Sequence, residues 1–439
     1  MSRRRLHYAW IMLIVVFLGM AAAGGIRSMP GVLIIPLEQE FGWDRTTVSL
    51  AVSMNLLLYG LCGPFASAIA ERFGMRRTMV VAYLALGIAV GLTTLMREAW
   101  QLLLLWGVLV GLGTGIAGGW MAATVSNRWF VKHRGLVGSI LLIGGGTSQI
   151  FFLPMLAWVV TNVNWRSASL IVSGFSLLVV PLAAKYIYSH PEEIGLRPYG
   201  MPLTADDGAK TPFVPPRTTG NPFVAAFRTL RNCIVDRNFL LLSGTFFACG
   251  ASANGLIGTH LIPASVEHHI SEVTAASFLS AMALLNIFGT IAAGWLSDRI
   301  DNRLLLSGYY GLRALALFFL PNALMAVNPY PWMIVFIALY GLEWAATAVM
   351  TMRLTGDIFG RAKVGTIFAW ILASHQLGAG AISLGAGIMR TWLGDYNAAF
   401  ILSGIICLIA AGMALLIGRR DGRASKAISA AASTSEAST

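Results

Sequence analysis

The chain has 439 residues, of which 56% are hydrophobic and only 11% are charged. A soluble globular domain carries about 25% charged residues, so this composition excludes a purely aqueous fold and predicts that lipid surrounds much of the chain. The net charge of +12 would also suit a nucleic-acid-binding protein, but the distribution of the basic residues, described below, excludes that class.

The start of the chain, "MSRRRLHYAW", is similar to the basic start of a signal peptide. The apolar run that follows continues without a small-residue cleavage site, which predicts an uncleaved first membrane span. Four cysteines are scattered through the chain, and their spacing indicates neither a disulfide framework nor a metal site. We therefore expect no metal and no cofactor.

Twelve apolar runs are long enough to cross a bilayer, which takes about 20 residues of helix. They lie at 10–36, 47–70, 78–96, 99–125, 136–160, 167–184, 239–263, 274–296, 304–326, 331–352, 364–389 and 397–417. The predicted fold class is an all-α integral membrane protein, with twelve transmembrane helices in two six-helix halves.

The expected organisation has four parts: an N-terminal half at 1–187, a cytoplasmic linker at 188–238, a C-terminal half at 239–418 and a disordered cytoplasmic tail at 419–439. The linker stretch "GMPLTADDGAKTPFVPPRTTGNP" has the composition of a flexible segment. The piece after it, "FVAAFRTLRN", is amphipathic and is predicted to lie along the membrane surface.

The basic residues predict the orientation of the chain. Twenty-five of the 31 Lys and Arg residues lie at the termini or in the connections that share their side of the membrane. The opposite connections hold four. This bias puts both termini in the cytoplasm and accounts for the basic charge without nucleic acid. We expect a monomer in the cytoplasmic (inner) membrane, with the lipid bilayer and a small molecule as its partners.

The chain also repeats itself. "SAIAERFGMRR" follows the second span and "GWLSDRIDNR" follows the eighth, so that acidic and basic positions align. The aligned residues are Glu71 with Asp298, Arg72 with Arg299, and Arg76 with Arg303. "GGWMAAT" and "LEWAAT" also fall on the fourth span of each half. Two parallel six-helix repeats joined by a long linker are typical of a transporter.

At these loops the sequence resembles the major facilitator superfamily, over essentially the whole chain. The second loop carries the family signature better, with Gly294, Leu296, Asp298, Arg299 and Arg303, whereas the first has Ser67 for Gly and Glu71 for Asp. The resemblance implies that the acid pairs with a neighbouring helix end and holds the inner face shut. The alternative is that these charges only anchor the topology.

A narrower resemblance is to bacterial monocarboxylate porters and oxalate/formate exchangers, through "NRWFVKHRGLVGSI", "SHPEEIGLRPYG" and "GTHLIPASVEHHI". Those families hold a carboxylate with a basic residue on the eighth helix. Here that span has Asn286 and Thr290 instead, and the eleventh span has His375 in place of the exchangers' lysine. The resemblance implies a small monocarboxylate substrate, and the departures leave the substrate open.

In the family's fold, polar residues deep in the cavity-lining spans are the candidates for substrate binding, because lipid-facing polar groups are penalised. Arg27 lies roughly 25 Å along the first span. It is either an anion clamp, since a guanidinium binds carboxylate bidentately, or an arginine that reaches the outer headgroups.

The other candidates for substrate contact each have a structural alternative as helix-packing residues. Asn55 and Tyr59 share one helix face at an i, i+4 spacing. Trp120 and Trp344, at equivalent places in the two halves, are candidates for an aromatic clamp. His260, near the outer surface, can titrate near neutral pH. The candidates for orienting hydrogen bonds are Gln149, Asn286, His375 and Gln376.

Two opposite charges lie inside spans of the second half. Arg313 lies about 14 Å deep in the ninth span and Glu343 about 18 Å down the tenth, which runs the other way. At these depths the two can meet, and a buried pair is far less costly than either ion alone. Glu343 therefore either neutralises Arg313 or faces the cavity and carries a proton.

The sequence predicts a secondary active transporter that moves a small organic anion, coupled to protons, by alternating access. No Gly-x-x-x-x-Gly-Lys-[Ser/Thr] loop for ATP occurs. The alternatives are an exporter or exchanger of a larger neutral or amphipathic metabolite, and a membrane sensor that transports nothing. An enzyme is not expected, because no catalytic cluster of residues occurs at membrane depth.

Overall fold

The computed structural model describes residues 7–201, 222–360 and 364–418, and these residues are helical apart from short connections. The helices are α1 (Tyr8–Ser28), α2 (Pro30–Phe41), α3 (Arg45–Phe73), α4 (Met75–Thr93), α5 (Ala99–Trp129), α6 (Arg134–Asn162), α7 (Trp165–Tyr186), α8 (Pro222–Cys233), α9 (Arg237–Glu267), α10 (Glu272–Ser297), α11 (Asn302–Met325), α12 (Pro329–Phe359), α13 (Val364–Leu393) and α14 (Asn397–Leu415). The chain crosses back and forth between a termini face, where α1 begins and α14 ends, and an opposite face, where α2 ends and α3 begins.

The predicted fold class is confirmed. Eleven of the described helices are long and apolar enough to cross a membrane, and α6 supplies the twelfth at 29 residues. Six of the twelve precede α8 and six follow it. Among the described residues the β-structure is a single bridge between Phe130 and Tyr199.

The first predicted span, at 10–36, is divided between two helices. Helix α1 ends at Ser28, and Pro30 begins α2, which runs to Phe41. Proline has no N–H to donate and its ring clashes with the preceding turn, so it suits the first turn of a new helix and not a helix interior. Together α1 and α2 are roughly 50 Å long. Arg27, roughly 30 Å from the start of α1, therefore lies near the middle of this rod.

Helices α9 and α13, both in the second half, touch backbone to backbone. A Cβ added to Gly250 would lie 1.7 Å from the backbone oxygen of His375. Likewise a Cβ on Gly289 of α10 would lie 1.7 Å from the oxygen of Leu342 in α12. Small residues allow such approaches, which stabilise helix pairs in lipid through dispersion contacts.

The linker does not begin at 188 as a free segment. The Nε of Arg76 donates to the oxygen of Ile187 at 2.9 Å, and the N–H of Tyr199 donates to the oxygen of Trp129 at 2.8 Å. The chain from 187 to 201 is thus bound to the termini face of the first half. Residues 202–221 and the predicted tail at 419–439 lie outside the described residues.

Helix α8 is the amphipathic piece predicted from "FVAAFRTLRN". Phe223 and Phe227 pack against Phe65 of α3, with ring centroids 5.7 and 5.2 Å apart. The indole N–H of Trp370 in α13 donates to the oxygen of Ala226 at 3.0 Å. Helix α8 therefore contacts both halves at once.

Two spans contain π-helical turns, at Leu103–Val110 in α5 and Ala251–Ile257 in α9. Helix α12 is interrupted after Glu343 and resumes at Ala346. Such irregularities cost backbone hydrogen bonds and occur often at functional sites. The one in α9 lies beside the cavity described next.

Candidate functional site

A cavity of about 320 Å³ lies where the first half meets α9 of the second. Helices α1, α3, α5 and α6 of the first half form most of its wall, and α9 of the second half contributes the rest. Among the described residues that line it, Arg27 alone carries a charge. The polar residues of the lining are Arg27, Asn55, Tyr59, Thr114, Gln149, Asn254 and Thr259.

Arg27 lies in the last turn of α1, where the helix dipole favours a cation. Its guanidinium carbon lies 4.0 Å from the centroid of the Tyr59 ring, which is a cation–π contact. Its side chain thus extends along the cavity wall. Among the described residues, no carboxylate lies within ion-pair distance of this guanidinium.

Two further predicted residues share the cavity with Arg27 and Tyr59. The side-chain amide of Asn55 donates to the oxygen of Trp106, in the π turn of α5, at 2.8 Å. That bond joins α3 to α5, so the amide nitrogen of Asn55 contributes to helix packing. Gln149 lines the cavity from α6, and its backbone oxygen accepts a bond from Ser280 of α10 at 3.1 Å.

The proposed aromatic clamp is not assembled at this cavity, because neither tryptophan belongs to its lining. The indole N–H of Trp120 donates to the oxygen of Ile116, one turn earlier, at 2.8 Å. Trp344 packs edge-on against Tyr340, with ring centroids 6.1 Å apart. Asn286 is also elsewhere: its side-chain oxygen accepts from the N–H of Ala345 at 2.9 Å and caps the resumed part of α12.

His375 and Gln376 also lie outside the lining, buried where α13 meets α9 and α3. The imidazole of His375 packs on Phe246, with centroids 4.8 Å apart. A Cβ on Gly60 would lie 2.4 Å from the Cβ of Gln376. The Nδ1 of His375 and the side-chain oxygen of Gln376 have no hydrogen-bond partner among the described residues.

Arg313 and Glu343 meet inside the second half, as the depth argument predicted. The Nε of Arg313 lies 2.9 and 2.8 Å from the two carboxylate oxygens, and Nη2 lies 2.6 Å from one of them. The guanidinium also donates to the backbone oxygens of Glu343 and Trp344, at the interruption in α12. Both side chains are at most 1% exposed, and neither lines the cavity.

The two loop acids each pair within their own half. Glu71 binds Arg128 at the end of α5, and Asp298 binds Arg353 near the end of α12 at 2.5 Å. His190 lies 3.4 Å from Arg128, and burial, followed by that guanidinium, lowers the pKa of His190. The two pairs occupy equivalent places in the halves, and neither bridges them.

The four loop arginines serve the same local purpose. Arg76 and Arg303 bind backbone oxygens of Ile187 and Ile417 at 2.9 and 3.1 Å. Arg72 lies over the ring of Phe73, next to it in α3, and Arg299, in the turn after α10, lies over the ring of Trp295. These contacts lie within one half each, so the predicted inner latch stays a prediction.

At the opposite face the structure contains a charged cluster that the sequence analysis missed. Arg45, at the start of α3, is 8% exposed and binds Glu38 of α2 through two nitrogens. It also reaches the second half, where it bonds to the hydroxyl of Tyr396 and lies 3.5 Å from Glu267. Glu267 in turn accepts from the Nε of Arg390 at 2.8 Å.

The sequence offered little signal for this cluster. Arg45 counted there only as one of four basic residues on the outer side, and Tyr396 lies 351 positions further along the chain. No periodicity connects residues at that separation, because only the packing of the two halves brings them together. His260 was noted, although its role depends on the same distant tyrosine.

A family model described as the Major Facilitator Superfamily matches residues 16–342 and, in a second match, 241–438. An uncharacterized MFS-type transporter YcxA of Bacillus subtilis (strain 168) is 23% identical over 93% of this chain and 94% of its own. Monocarboxylate transporter 12 of Xenopus laevis is 24% identical, over 95% of this chain and 92% of its own.

Solved structures show the same fold. A bacterial homolog of the human lysosomal transporter Spinster, in an inward-facing conformation, superposes with a TM-score of 0.69 at 17% identity. The match covers 94% of this chain and 97% of that one. A D-xylose–proton symporter gives a TM-score of 0.66 at 14% identity, over 93% and 97% of the two chains.

Proposed function

Because this chain belongs to the major facilitator superfamily of membrane transporters, we propose that it moves a small organic anion across the membrane by alternating access. The observation that carries the proposal is that Arg27 is the one charged side chain among the described residues that line the cavity. A guanidinium that faces a ligand cavity without a carboxylate beside it favours the binding of an anion there. Removing a cation from water is costly unless an anion pairs with it.

The size and chemistry of the cavity limit which anions it can bind. Ligand pockets in proteins range over roughly 300–1,000 Å³, and this one, at about 320 Å³, is at the small end. One arginine suits one carboxylate, and Gln149, Asn254 and Thr259 supply neutral hydrogen-bonding groups around it. The proposal is therefore a small monoanion. The relative named as a monocarboxylate transporter supports that direction.

The proposal also includes the orientation of the chain in the membrane and the gradient that drives transport. The termini face is cytoplasmic, because the Lys and Arg bias predicts so. The sequence has no ATP loop, so a gradient drives the transport, and we propose that protons supply it. Glu343 is fully engaged by Arg313 and lies away from the cavity, which favours a structural role for this carboxylate over that of the proton carrier.

Uptake into proteoliposomes tests the anion site. We expect labelled lactate or acetate to enter, glycerol to be excluded, and Arg27→Gln to reduce anion uptake at least about tenfold, because a charged hydrogen bond is lost. Arg27→Lys keeps the charge without the bidentate fork and should retain part of the activity. Arg166→Gln, which removes a surface cation of the first half, is the matched control.

The result that contradicts the anion site is equal uptake of charged and neutral compounds by the wild-type protein, or Arg27→Gln indistinguishable from Arg166→Gln. The coupling is tested separately. Accumulation against a concentration gradient should require an inward proton gradient and vanish with a proton ionophore, while counterflow exchange continues. Accumulation that ignores the ionophore would remove protons from the proposal and leave the anion site standing.

A further inference from the structure

We propose that Arg45, Glu267, Tyr396 and His260 form a gate on the opposite face, built so that it opens without leaving a buried charge unpaired, and connected to the cavity through α9. This opposite-face gate goes beyond the proposed substrate. It rests only on the chain being a transporter whose two halves separate at that face.

The first step is that the cluster crosses the boundary between the halves. Arg45 of α3 bonds to Tyr396 and lies 3.5 Å from Glu267. One residue further, the hydroxyl of Thr46 donates to the hydroxyl of Thr391 at 2.9 Å. In both contacts a side chain of the first half meets one of the second. These bonds must break when the halves part at this face.

The second step is that each charge keeps a partner when they break. Arg45 retains Glu38, which lies on α2 of the same half and contacts two of its nitrogens. Glu267 retains Arg390, 2.8 Å away in the second half. For these charged groups, opening therefore loses one hydrogen bond to a hydroxyl and one long ion pair, and no ion is left buried alone, which is the costly case.

The third step is a relay of hydrogen bonds into the second half. The hydroxyl of Tyr396 accepts from Arg45, so its own proton is available to Nδ1 of His260, 3.2 Å away. The Nε2 of His260 then carries the imidazole proton and donates to the oxygen of Ser383 at 2.8 Å. This neutral tautomer satisfies both ring nitrogens, as a fully buried histidine requires.

The fourth step connects the gate to the cavity. Gly258 and Thr259 line the cavity, and His260 follows them directly in α9. The π turn at Ala251–Ile257 lies just before, and the Thr259 hydroxyl donates to the oxygen of Asn254, another lining residue, at 2.9 Å. A ligand that moves this short stretch of α9 also moves His260, and with it the partner of Tyr396. The state of the gate thereby depends on what occupies the cavity.

The test measures how often the gate opens, without any substrate. Val52→Cys places a thiol in the cavity wall, roughly 10 Å along α3 from Arg45. In whole cells, a membrane-impermeant maleimide reaches it from the opposite face only when the gate is open. We expect Tyr396→Phe to raise the rate of labelling roughly tenfold, because it deletes one hydrogen bond to a charge with almost no change in volume.

Three controls make the result decisive. Gln39→Cys, exposed at the opposite face, must be labelled from outside, and if it is protected the assay is run on inverted vesicles. Arg166→Gln, whose partner Glu40 is in the same half, must leave the rate unchanged. The chain without Val52→Cys gives the background from the native cysteines.

Glu267→Gln is the second gate variant, and it too should raise the labelling several-fold. Unchanged labelling in both Tyr396→Phe and Glu267→Gln overturns the gate, as does an equal rise in Arg166→Gln. Because the labelling is measured without any uptake of an anion, failure of the gate is distinguishable from failure of the proposed substrate.

Discussion

Among the described residues, two buried arginine–glutamate clusters are built in opposite ways. Around Arg313 and Glu343 every bond to the guanidinium comes from the second half, and both side chains are at most 1% exposed. Around Arg45 the bonds come from both halves, and the carboxylates are 21% and 25% exposed. The first cluster lies within one half, whereas the boundary between the two halves runs through the second cluster.

The difference teaches where a membrane protein can place a movable charge. In the Arg313 cluster each ion depends on the other, so breaking it strands a charge in a low-dielectric interior. In the opposite-face gate each ion has one partner that stays and one that leaves. A charge of that kind can take part in a conformational change, whereas a pair of the first kind is suited to holding helices in register.

The largest expected effect comes from breaking the fixed pair. Glu343→Gln should destabilise the protein by about 3–5 kcal/mol, because Arg313 remains buried without its counter-ion. Combining Glu343→Arg with Arg313→Glu should recover much of the folded protein. Thermal unfolding of the detergent-solubilised variants measures both.

The same double variant distinguishes the two roles of Glu343. If it folds and transports, the pair is structural. If it folds and keeps counterflow exchange but loses only proton-driven accumulation, the structural interpretation is wrong and Glu343 carries the proton.

The next effect concerns the gate as a moving part. Thr46→Cys with Thr391→Cys places two thiols where the hydroxyl oxygens are 2.9 Å apart, close enough for a disulfide. Oxidation should abolish uptake of lactate or acetate in proteoliposomes, and reduction should restore it. Each single cysteine variant should be insensitive to the oxidant. Full transport through the cross-linked protein would mean that this boundary does not open.

A smaller effect tests the comparison more closely, because two variants are expected to change the rate of labelling in opposite directions. Glu267→Gln removes a partner that Arg45 loses on opening, so it favours the open gate. Glu38→Gln removes the partner that Arg45 keeps, so it makes Arg45 depend on the second half and favours the closed gate. Labelling of Val52→Cys should therefore rise several-fold in the first variant and fall in the second. A change in the same direction in both would contradict the two-partner arrangement.

The smallest effect on stability is expected at the termini face. Asp298 is 60% exposed and its partner Arg353 is 39% exposed, and exposed pairs contribute about 0.2–1 kcal/mol. Asp298→Asn should leave thermal unfolding almost unchanged while slowing uptake, if Asp298 also contacts the other half in a second conformation. Normal uptake in a well-expressed variant would leave these loop charges as topological anchors.

Several features of the protein were predictable from local sequence. The spans followed from apolar runs, because hydrocarbon thickness sets their length. The contact between Arg313 and Glu343 followed from their depths in the membrane. Two antiparallel helices joined by a short turn are neighbours, so residues at the same depth lie side by side. Arg27 was found because a charge inside an apolar run is conspicuous by itself.

What the sequence by itself determined is therefore everything set by one helix or by two neighbouring ones: the all-helical membrane fold, its repeat and the buried ion pair. The tertiary structure alone decided which polar residues share the cavity, excluding Trp120 and Trp344, and which form the gate. The physical reason is that these groups come from helices far apart in the chain. Rotation of each helix about its axis and the docking of the two halves, which no local pattern encodes, bring Arg45 to Tyr396.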